Sequence, residues 1–312
     1  MDIVVCTDKK FVRFDGVLFK SICINNKSED ICFHVVVDES VTSIDKNSLE
    51  NIVKQYDNKK IFFYLMDDNV MNTFPNIRDN STITKATYYR LAFTKILPEN
   101  IEKVLYLDGD IIIRKNIAKM FDTDIRDCAI GCIVDMDEDD DERYVRLGYD
   151  KALGYFNAGV LLINLKFWRD NNVFDKFMKV IEQIPDKLQC HDQDVMNIVF
   201  KECKKNLPLT YNFQNGFLYQ HLGLNESKYA EEIKNTLSDP AIVHYTCTKP
   251  WVKDCGHPWK NLYFKYEAMT QWYNAGLLPS NKKKHSFWKR MMLYIHIHHN
   301  HDKKYIELSS ID

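Results

Sequence analysis

The sequence predicts an α/β fold in which a mainly parallel sheet carries helices on both faces. Short apolar runs rich in β-branched residues recur along the chain, and helix-like stretches lie between several of them. The runs are continuously apolar rather than alternating, which is typical of parallel strands buried on both sides. A chain of 312 residues with 45% hydrophobic side chains is large enough for such a core. The predicted strands span residues 3–6, 31–37, 61–65, 104–107, 129–134 and 160–165.

Helix signals fall between these runs. Thr42 and Asp45 stand in a capping-box pattern ahead of apolar residues at helical spacing. A second helix is predicted from about Thr84 to Pro98, because proline ends the helical pattern there. Two further helices are predicted at residues 173–184 and 192–202.

Composition excludes several classes of function. The chain carries 42 basic and 44 acidic side chains, which argues against binding to nucleic acid and against bulk electrostatic attachment to a membrane. Nine cysteines without CxxC spacing predict reduced thiols. The first residues lack the basic and apolar segments of a secretory signal, and no apolar stretch of about 18 residues predicts a transmembrane helix. The predicted location is therefore the cytoplasm.

The segment Asp108-Gly109-Asp110 follows the apolar run 104–107 directly. Two carboxylates at the end of a buried strand offer hard oxygen ligands for a divalent cation, and the glycine leaves room for a phosphate oxygen to share that cation. Asp-Gly between apolar runs is also a strong signal for a β-hairpin without chemistry. These residues alone leave both interpretations open.

Three other segments carry possible functions. Acidic residues fill 135–142 without the spacing of a calcium loop, which predicts a solvated loop. Cys247, Cys255 and His257 offer an alternative zinc site, although their spacing fits no standard zinc motif. From residue 280 the chain becomes basic and aromatic, which predicts a peripheral contact of residues 280–300 with anionic lipid on the inner face of the membrane. Packing of that tail on the rest of the chain or on a partner is the competing interpretation.

Six segments carry a combined pattern: residues 2–8, 87–91, 103–110, 155–165, 191–194 and 243–251. Together they resemble glycosyltransferase family 8, a retaining group that uses nucleotide sugars and includes bacterial lipopolysaccharide galactosyl- and glucosyltransferases. Each segment alone is a weak signal, but all six occur in the family's order and spacing over roughly residues 1–265.

The resemblance implies a GT-A fold, that is, a Rossmann-like donor half joined without a linker to an acceptor half. Residues 1–265 would form this catalytic domain, and residues 266–312 a helical extension that associates with the membrane. The implied donor is UDP-glucose or UDP-galactose, and the implied acceptor is a glycan or glycolipid of lipopolysaccharide or capsule type. Asp108, Asp110 and His244 match the metal ligands of the family, and this mixture of carboxylates with an imidazole suits Mn²⁺ better than Mg²⁺, the alternative.

The resemblance also assigns donor-binding residues. Thr7 and Asp8 match positions that contact uracil and ribose, and Arg90 matches an arginine that contacts the donor. Lys249 matches a lysine that contacts the diphosphate. The remaining donor-binding positions are Asp108, Gly109, Asp110, Asn157, Ala158, Asp192, Gln193 and His244.

The catalytic positions implied by the resemblance are Asp192, Gln193 and Asp194. Gln193 matches the residue that faces the anomeric carbon, but a carboxamide is a poor nucleophile. Attack by the acceptor on the face from which UDP departs is therefore preferred to double displacement, with Asp194 as the alternative nucleophile.

The predicted function is a metal-dependent retaining hexosyltransferase. A metal-dependent nucleotidyltransferase and a non-catalytic sugar-binding protein are the two alternatives. The sequence does not decide between glucose and galactose, and it leaves the acceptor and the oligomeric state open.

Overall fold

A computed structural model describes residues 1–74, 85–220, 224, 228–280 and 305–306. Within these ranges the chain forms ten strands and eleven α-helices. The strands are β1 (Asp2–Thr7), β2 (Ile31–Val37), β3 (Lys59–Leu65), β4 (Lys103–Leu107), β5 (Ile111–Ile113), β6 (Ile130–Val134), β7 (Phe156–Asn164), β8 (Lys204–Asn206), β9 (Phe213–Gln214) and β10 (Ile242–His244). The helices are α1 (Val12–Asn25), α2 (Ser43–Val53), α3 (Asp68–Met71), α4 (Phe93–Ile96), α5 (Ala118–Phe121), α6 (Asp141–Leu147), α7 (Leu165–Asp170), α8 (Val173–Gln183), α9 (His191–Phe200), α10 (Ala230–Thr236) and α11 (Lys260–Glu267).

Seven strands form the main sheet, in the order β3-β2-β1-β4-β7-β6-β8. β1 pairs in parallel with β2 and β4, β2 with β3, and β6 with β8. β7 is antiparallel to both of its neighbours, β4 and β6. A second, small sheet has the order β5-β10-β9. The prediction of a mainly parallel sheet is confirmed.

Both faces of the main sheet are covered. Ile3 and Val5 of β1 pack into one hydrophobic core together with Leu18 of α1. Val4 points the other way, into a second core that contains Phe177 of α8. Successive residues of a strand face opposite sides of the sheet, so the continuously apolar sequence of β1 serves two cores at once.

The predicted capping box at the start of α2 is confirmed. The Thr42 hydroxyl accepts a hydrogen bond from the Asp45 backbone N–H at 3.4 Å, and the Asp45 carboxylate accepts one from the Thr42 backbone N–H at 2.9 Å. Two of the otherwise unpaired N–H groups at this helix start are thereby satisfied.

The single helix predicted from about Thr84 to Pro98 is wrong in type. Residue 84 lies outside the described residues. A 3₁₀ helix spans Lys85–Ala92, and the short α4 follows it directly. A 3₁₀ helix and an α-helix both bring residues i and i+3 to one face, so the few apolar residues of this segment do not separate the two helix types.

Helix α1 was not predicted. Eleven of its 14 residues are buried, including Asp15 and Lys20. A helix that is covered on nearly all sides lacks the polar face on which the recognition of an amphipathic pattern depends. Its centre lies so close to the C-terminal part of the chain that a methyl group on Gly16 would approach the Trp272 ring to 2.0 Å.

The predicted domain boundary after residue 265 lies inside α11, and Glu267 of that helix pairs with Arg13 of α1 at 2.6 Å. The residues of α11 just beyond 265 are therefore packed on the body of the fold. The acidic stretch 135–142 is not simply a solvated loop, because Asp135 is buried and Asp140 caps α6.

The predicted membrane-contacting segment 280–300 lies outside the described residues except for residue 280. In the described part of the chain, no helix has the length and apolar character needed to cross a membrane. Residues 305 and 306 return to the body of the fold. The Ile306 N–H donates to the Leu218 carbonyl at 2.8 Å, and the Tyr305 hydroxyl accepts from Asn215 at 3.0 Å.

Candidate active site

Strand direction brings the predicted site residues to one edge of the main sheet. β1 and β4 are parallel and end at this edge, whereas the antiparallel β7 begins there. Leu107, the last residue of β4, pairs with Val160, and the Asp108 N–H donates to the Gly159 carbonyl at 2.9 Å. The segment after β4 therefore lies beside the start of β7.

A cavity of about 440 Å³ opens at this edge. Eleven of the thirteen predicted site residues line it, so residues far apart in the chain share one pocket. They are Asp8, Arg90, Asp108, Gly109, Asp110, Asn157, Ala158, Asp192, Gln193, His244 and Lys249.

The hairpin interpretation of Asp108-Gly109-Asp110 is excluded, because β4 and β5 belong to different sheets. β5 turns away from β4 and pairs with β10, where His244 lies opposite Ile111. This second sheet delivers His244 to the acidic pair.

Asp108, Asp110 and His244 form a compact ligand set whose coordinating atoms all lie within 4.8 Å of one another. His244 Nε2 lies 3.2 Å from Asp110 Oδ1 and 3.9 Å from Asp108 Oδ2. A methyl group on Gly159 would come within 2.3 Å of His244, so the close packing here requires glycine. Carboxylate oxygens with an imidazole nitrogen fit a divalent transition metal.

Within the described residues, no other group of His, Cys, Asp and Glu side chains comes together in this way. The alternative zinc site at Cys247, Cys255 and His257 is therefore not formed. Cys255 and His257 are buried, and Cys247 is exposed.

Asp110 is held ionised by its neighbours. Burial raises its pKa, but the Lys249 ammonium and the adjacent His244 imidazole outweigh that effect and lower the pKa well below its usual value. The Lys249 ammonium pairs with the Asp110 carboxylate and donates to the Tyr245 carbonyl at 2.6 Å. Lys249 is thus part of the pocket rather than a solvated surface lysine.

Arg90 is a buried cation between two acidic residues. Its Nη2 lies 2.9 Å from Asp108 Oδ1, and its Nε lies 3.1 Å from Asp192 Oδ2. Its Nη1 donates to the Ala158 carbonyl at 2.7 Å, and the guanidinium lies over the Tyr106 ring at 4.3 Å. Arg90 therefore links the 3₁₀ helix, the end of β4, the start of β7 and the start of α9.

Gln193 lines the pocket with both ends of its amide engaged. Its Oε1 accepts from the Ala158 backbone N–H at 2.9 Å, and its Nε2 donates to Asp135 at 3.2 Å. Asp192, beside it, accepts from the Thr87 hydroxyl at 2.7 Å in addition to facing Arg90. These contacts fix both side chains at the wall of the pocket.

Two predicted site residues do not reach the pocket. The Thr7 side chain is fully buried, and its hydroxyl donates to the Asp8 carbonyl. Asp194 is also fully buried, and its carboxylate accepts from Arg146 at 2.8 Å and Tyr155 at 2.7 Å. Neither side chain has access to a ligand in this structure, contrary to the expectation from sequence.

Three features of the site were missed in the sequence. Phe11 lines the pocket beside Asp8 and presents an aromatic ring there. Asp135 follows β6 as Asp108 follows β4, a signal that the surrounding acidic run concealed. Asp15 lies under Gly109, where a methyl group would meet its Oδ1 at 2.4 Å. Burial, reinforced by the nearby acidic residues, raises the pKa of Asp15 to about 8.

Comparison with known proteins gives a family match. The model for glycosyl transferase family 8 matches residues 2–255. General stress protein A of Bacillus subtilis (strain 168) is 28% identical over 280 residues, which covers 88% of this chain and 96% of that protein. The lipopolysaccharide 1,3-galactosyltransferase of Salmonella typhimurium is 27% identical over 282 residues, or 87% of this chain and 79% of that enzyme.

Solved structures agree with the sequence comparison. The galactosyltransferase LgtC, solved with donor and acceptor sugar analogues, has a TM-score of 0.77 and 26% identity, covering 93% of this chain and 99% of that chain. An active-site mutant of LgtC has the same TM-score, 0.77, at 29% identity. The predicted GT-A fold is confirmed, and the comparisons favour neither a nucleotidyltransferase nor a non-catalytic sugar-binding protein.

The position of Arg90 predicts a large effect on stability. Replacement Arg90→Met leaves the buried Asp192 and the half-buried Asp108 without their cation, so we expect the free energy of unfolding to fall by about 3–5 kcal/mol in urea denaturation. The control is Arg126→Met, whose arginine is 87% exposed and pairs with Asp124. That change should leave the urea midpoint nearly unchanged. A wild-type urea midpoint for Arg90→Met would contradict the role given to Arg90.

Proposed function

The chain belongs to glycosyltransferase family 8, and from this premise we propose that it transfers galactose or glucose from UDP to a glycan acceptor with retention of configuration. The acceptor is a surface glycan of lipopolysaccharide or capsular type. The observation that carries the proposal is the set of Asp108, Asp110 and His244, with ligand atoms within 4.8 Å, in a pocket that also contains Arg90 and Gln193.

Residues that line the pocket suit the three parts of a UDP-hexose. Asp8 and Phe11 both line it, and an aromatic face there can stack on uracil. The acidic pair and Lys249 suit the diphosphate. Asp192 and Gln193, beside Ala158, suit the hexose.

Asp108, Asp110 and His244 would hold Mn²⁺, with Mg²⁺ as the alternative. When bound, the ion would act as a Lewis acid that neutralises the charge developing on the departing diphosphate. Lys249 adds a positive charge on the same side of the pocket. Its pairing with Asp110 keeps its ammonium next to the place where the phosphates would lie.

The surroundings of Asp192, Gln193 and Asp194 support attack on the face from which UDP departs. Asp194 is buried and triply hydrogen-bonded, Asp192 faces Arg90 and Thr87, and the Gln193 amide is held at both ends. None of the three offers a free carboxylate as a nucleophile. The acceptor oxygen would bond to the anomeric carbon as the electron pair of the old C–O bond leaves with UDP. The acceptor proton would pass to the departing phosphate oxygen.

Loss of a ligand should abolish activity. We expect Asp108→Asn and Asp110→Asn to lower Mn²⁺-dependent UDP release from UDP-glucose or UDP-galactose roughly 10²-fold or more, because each removes a charge that holds the cation. EDTA should have the same effect on the wild type. The matched control is Asp124→Asn, an exposed residue paired with Arg126, which should retain full activity. Full activity in either pocket variant would refute the metal assignment.

Retention has a direct test in the product. The anomeric configuration of the new glycosidic linkage can be read from its ¹H NMR coupling. It should be the same as the anomeric configuration of the UDP-hexose. A product of opposite configuration would exclude the proposed route while leaving the donor assignment intact.

We also place the enzyme in the cytoplasm, at the inner face of the membrane, through the extension 266–312. The support is the sequence of residues 280–300, where clustered lysines precede Phe287 and Trp288. Replacement of Lys282, Lys283, Lys284, Phe287 and Trp288 by Ser leaves Tyr305 and Ile306 in place, so it should abolish sedimentation with anionic liposomes and leave UDP release unchanged. Equal sedimentation of this variant and the wild type would exclude membrane contact through this segment.

A further inference from the structure

We propose that Asn212 is a positioning residue that holds the His244 imidazole with a proton on Nδ1, so that Nε2 is the ring nitrogen presented to Asp108 and Asp110. Asn212 is in turn oriented by Asn157 and by the backbone N–H of Gly159. The inference rests on the proposed function only in naming Mn²⁺ as the ion that Nε2 serves.

The orientation of the Asn157 amide is fixed at both ends. The Gly159 backbone N–H lies 3.0 Å from Asn157 Oδ1, and because a backbone N–H only donates, this atom must be the carbonyl oxygen. At the other end, Nδ2 lies 3.1 Å from the Asp135 carboxylate, which accepts. A reversed amide would place two donors together at one end and two acceptors together at the other.

The orientation of Asn212 follows from that of Asn157. Asn212 lies 3.0 Å from Asn157 Oδ1, which only accepts, so the Asn212 atom there must be Nδ2. The Asn212 carbonyl oxygen then lies 2.8 Å from His244 Nδ1. Asn212 is fully buried and His244 is 3% exposed, so bulk water does not compete for this hydrogen bond.

The Asn212 oxygen therefore assigns a proton to His244 Nδ1, because an amide oxygen requires a donor. Nε2 is left as the ring nitrogen that can offer a lone pair to a metal ion. Nε2 is the atom that faces Asp110 Oδ1 at 3.2 Å. Metal-binding histidines depend on such an outer hydrogen bond for ring orientation and ligand strength.

The same chain of hydrogen bonds joins the hexose part of the pocket to the metal ligand His244. Asp135 accepts from both Asn157 and Gln193, at 3.1 and 3.2 Å. The Asn157 side chain lines the pocket, and both polar atoms of its amide are hydrogen-bonded within the protein. We therefore assign Asn157 a positioning role as well, between the hexose part of the pocket and the metal ligand.

The test combines NMR with metal binding. Long-range ¹H–¹⁵N correlation on cation-free protein with ¹⁵N-labelled histidine, at pH 8, reports which ring nitrogen carries the proton. The His244 signals are identified by their loss in His244→Gln. We expect Nδ1–H in the wild type and a mixture with Nε2–H in Asn212→Leu. Electron paramagnetic resonance should show Mn²⁺ binding at least about 10-fold weaker in Asn212→Leu.

Two further variants make the test decisive. Asn212→Asp keeps an acceptor for Nδ1–H, so it should retain the Nδ1–H tautomer even if Asn212→Leu fails to fold. Asn26→Leu removes a fully buried asparagine that bonds Ile22 and Ile117, and it should leave the His244 tautomer unchanged.

Absence of a proton from Nδ1 in the wild type or in Asn212→Asp would overturn the proposal. So would unchanged tautomer and Mn²⁺ affinity in a folded Asn212→Leu protein. Failure of the wild type to bind Mn²⁺ would instead count against the proposed function, because the tautomer is measured without the ion.

Discussion

The pocket depends on the pairing of carboxylates with two cations. Arg90 forms ion pairs with both Asp108 and Asp192, which come from the end of β4 and the start of α9. Lys249 performs the same task for Asp110 on the opposite side. Without these cations the acidic side chains would repel one another in a medium that screens charge poorly. The convergence of separate chain segments at one sheet edge is therefore as much an electrostatic arrangement as a topological one.

The sequence predicted the strands whose residues are continuously apolar. Continuous apolar runs predicted the strands because a sheet covered on both faces needs apolar residues at every position. The same reasoning failed for α1, whose burial on nearly all sides removes the polar face. It also failed for Lys85–Ala92, where eight residues are too few to separate two helix types.

Within the site, sequence motifs predicted which residues gather but not what each one contacts. Thr7 and Asp194 belong to matching motifs, yet both turn into the protein interior. Asn157 lines the pocket as expected, but its side-chain amide forms hydrogen bonds with Gly159, Asn212 and Asp135. Such distinctions depend on side-chain direction, which a linear pattern does not contain. The reversed direction of β7, which brings Asn157 to the pocket at all, is likewise a property of the sheet.

The return of Tyr305 and Ile306 to the segment around Asn215 has a consequence for synthesis of the chain. Asn215 donates its backbone N–H to Thr246, which lines the pocket, and its side-chain amide to Tyr305. The pocket wall at Thr246 is therefore supported by a residue that is synthesised long after it. Tyr305 follows Lys249 by about 55 residues, which takes roughly 3–11 seconds at ribosomal rates. During that interval all three predicted metal ligands have already been synthesised, while Tyr305 and Ile306, which support the pocket wall from outside, have not.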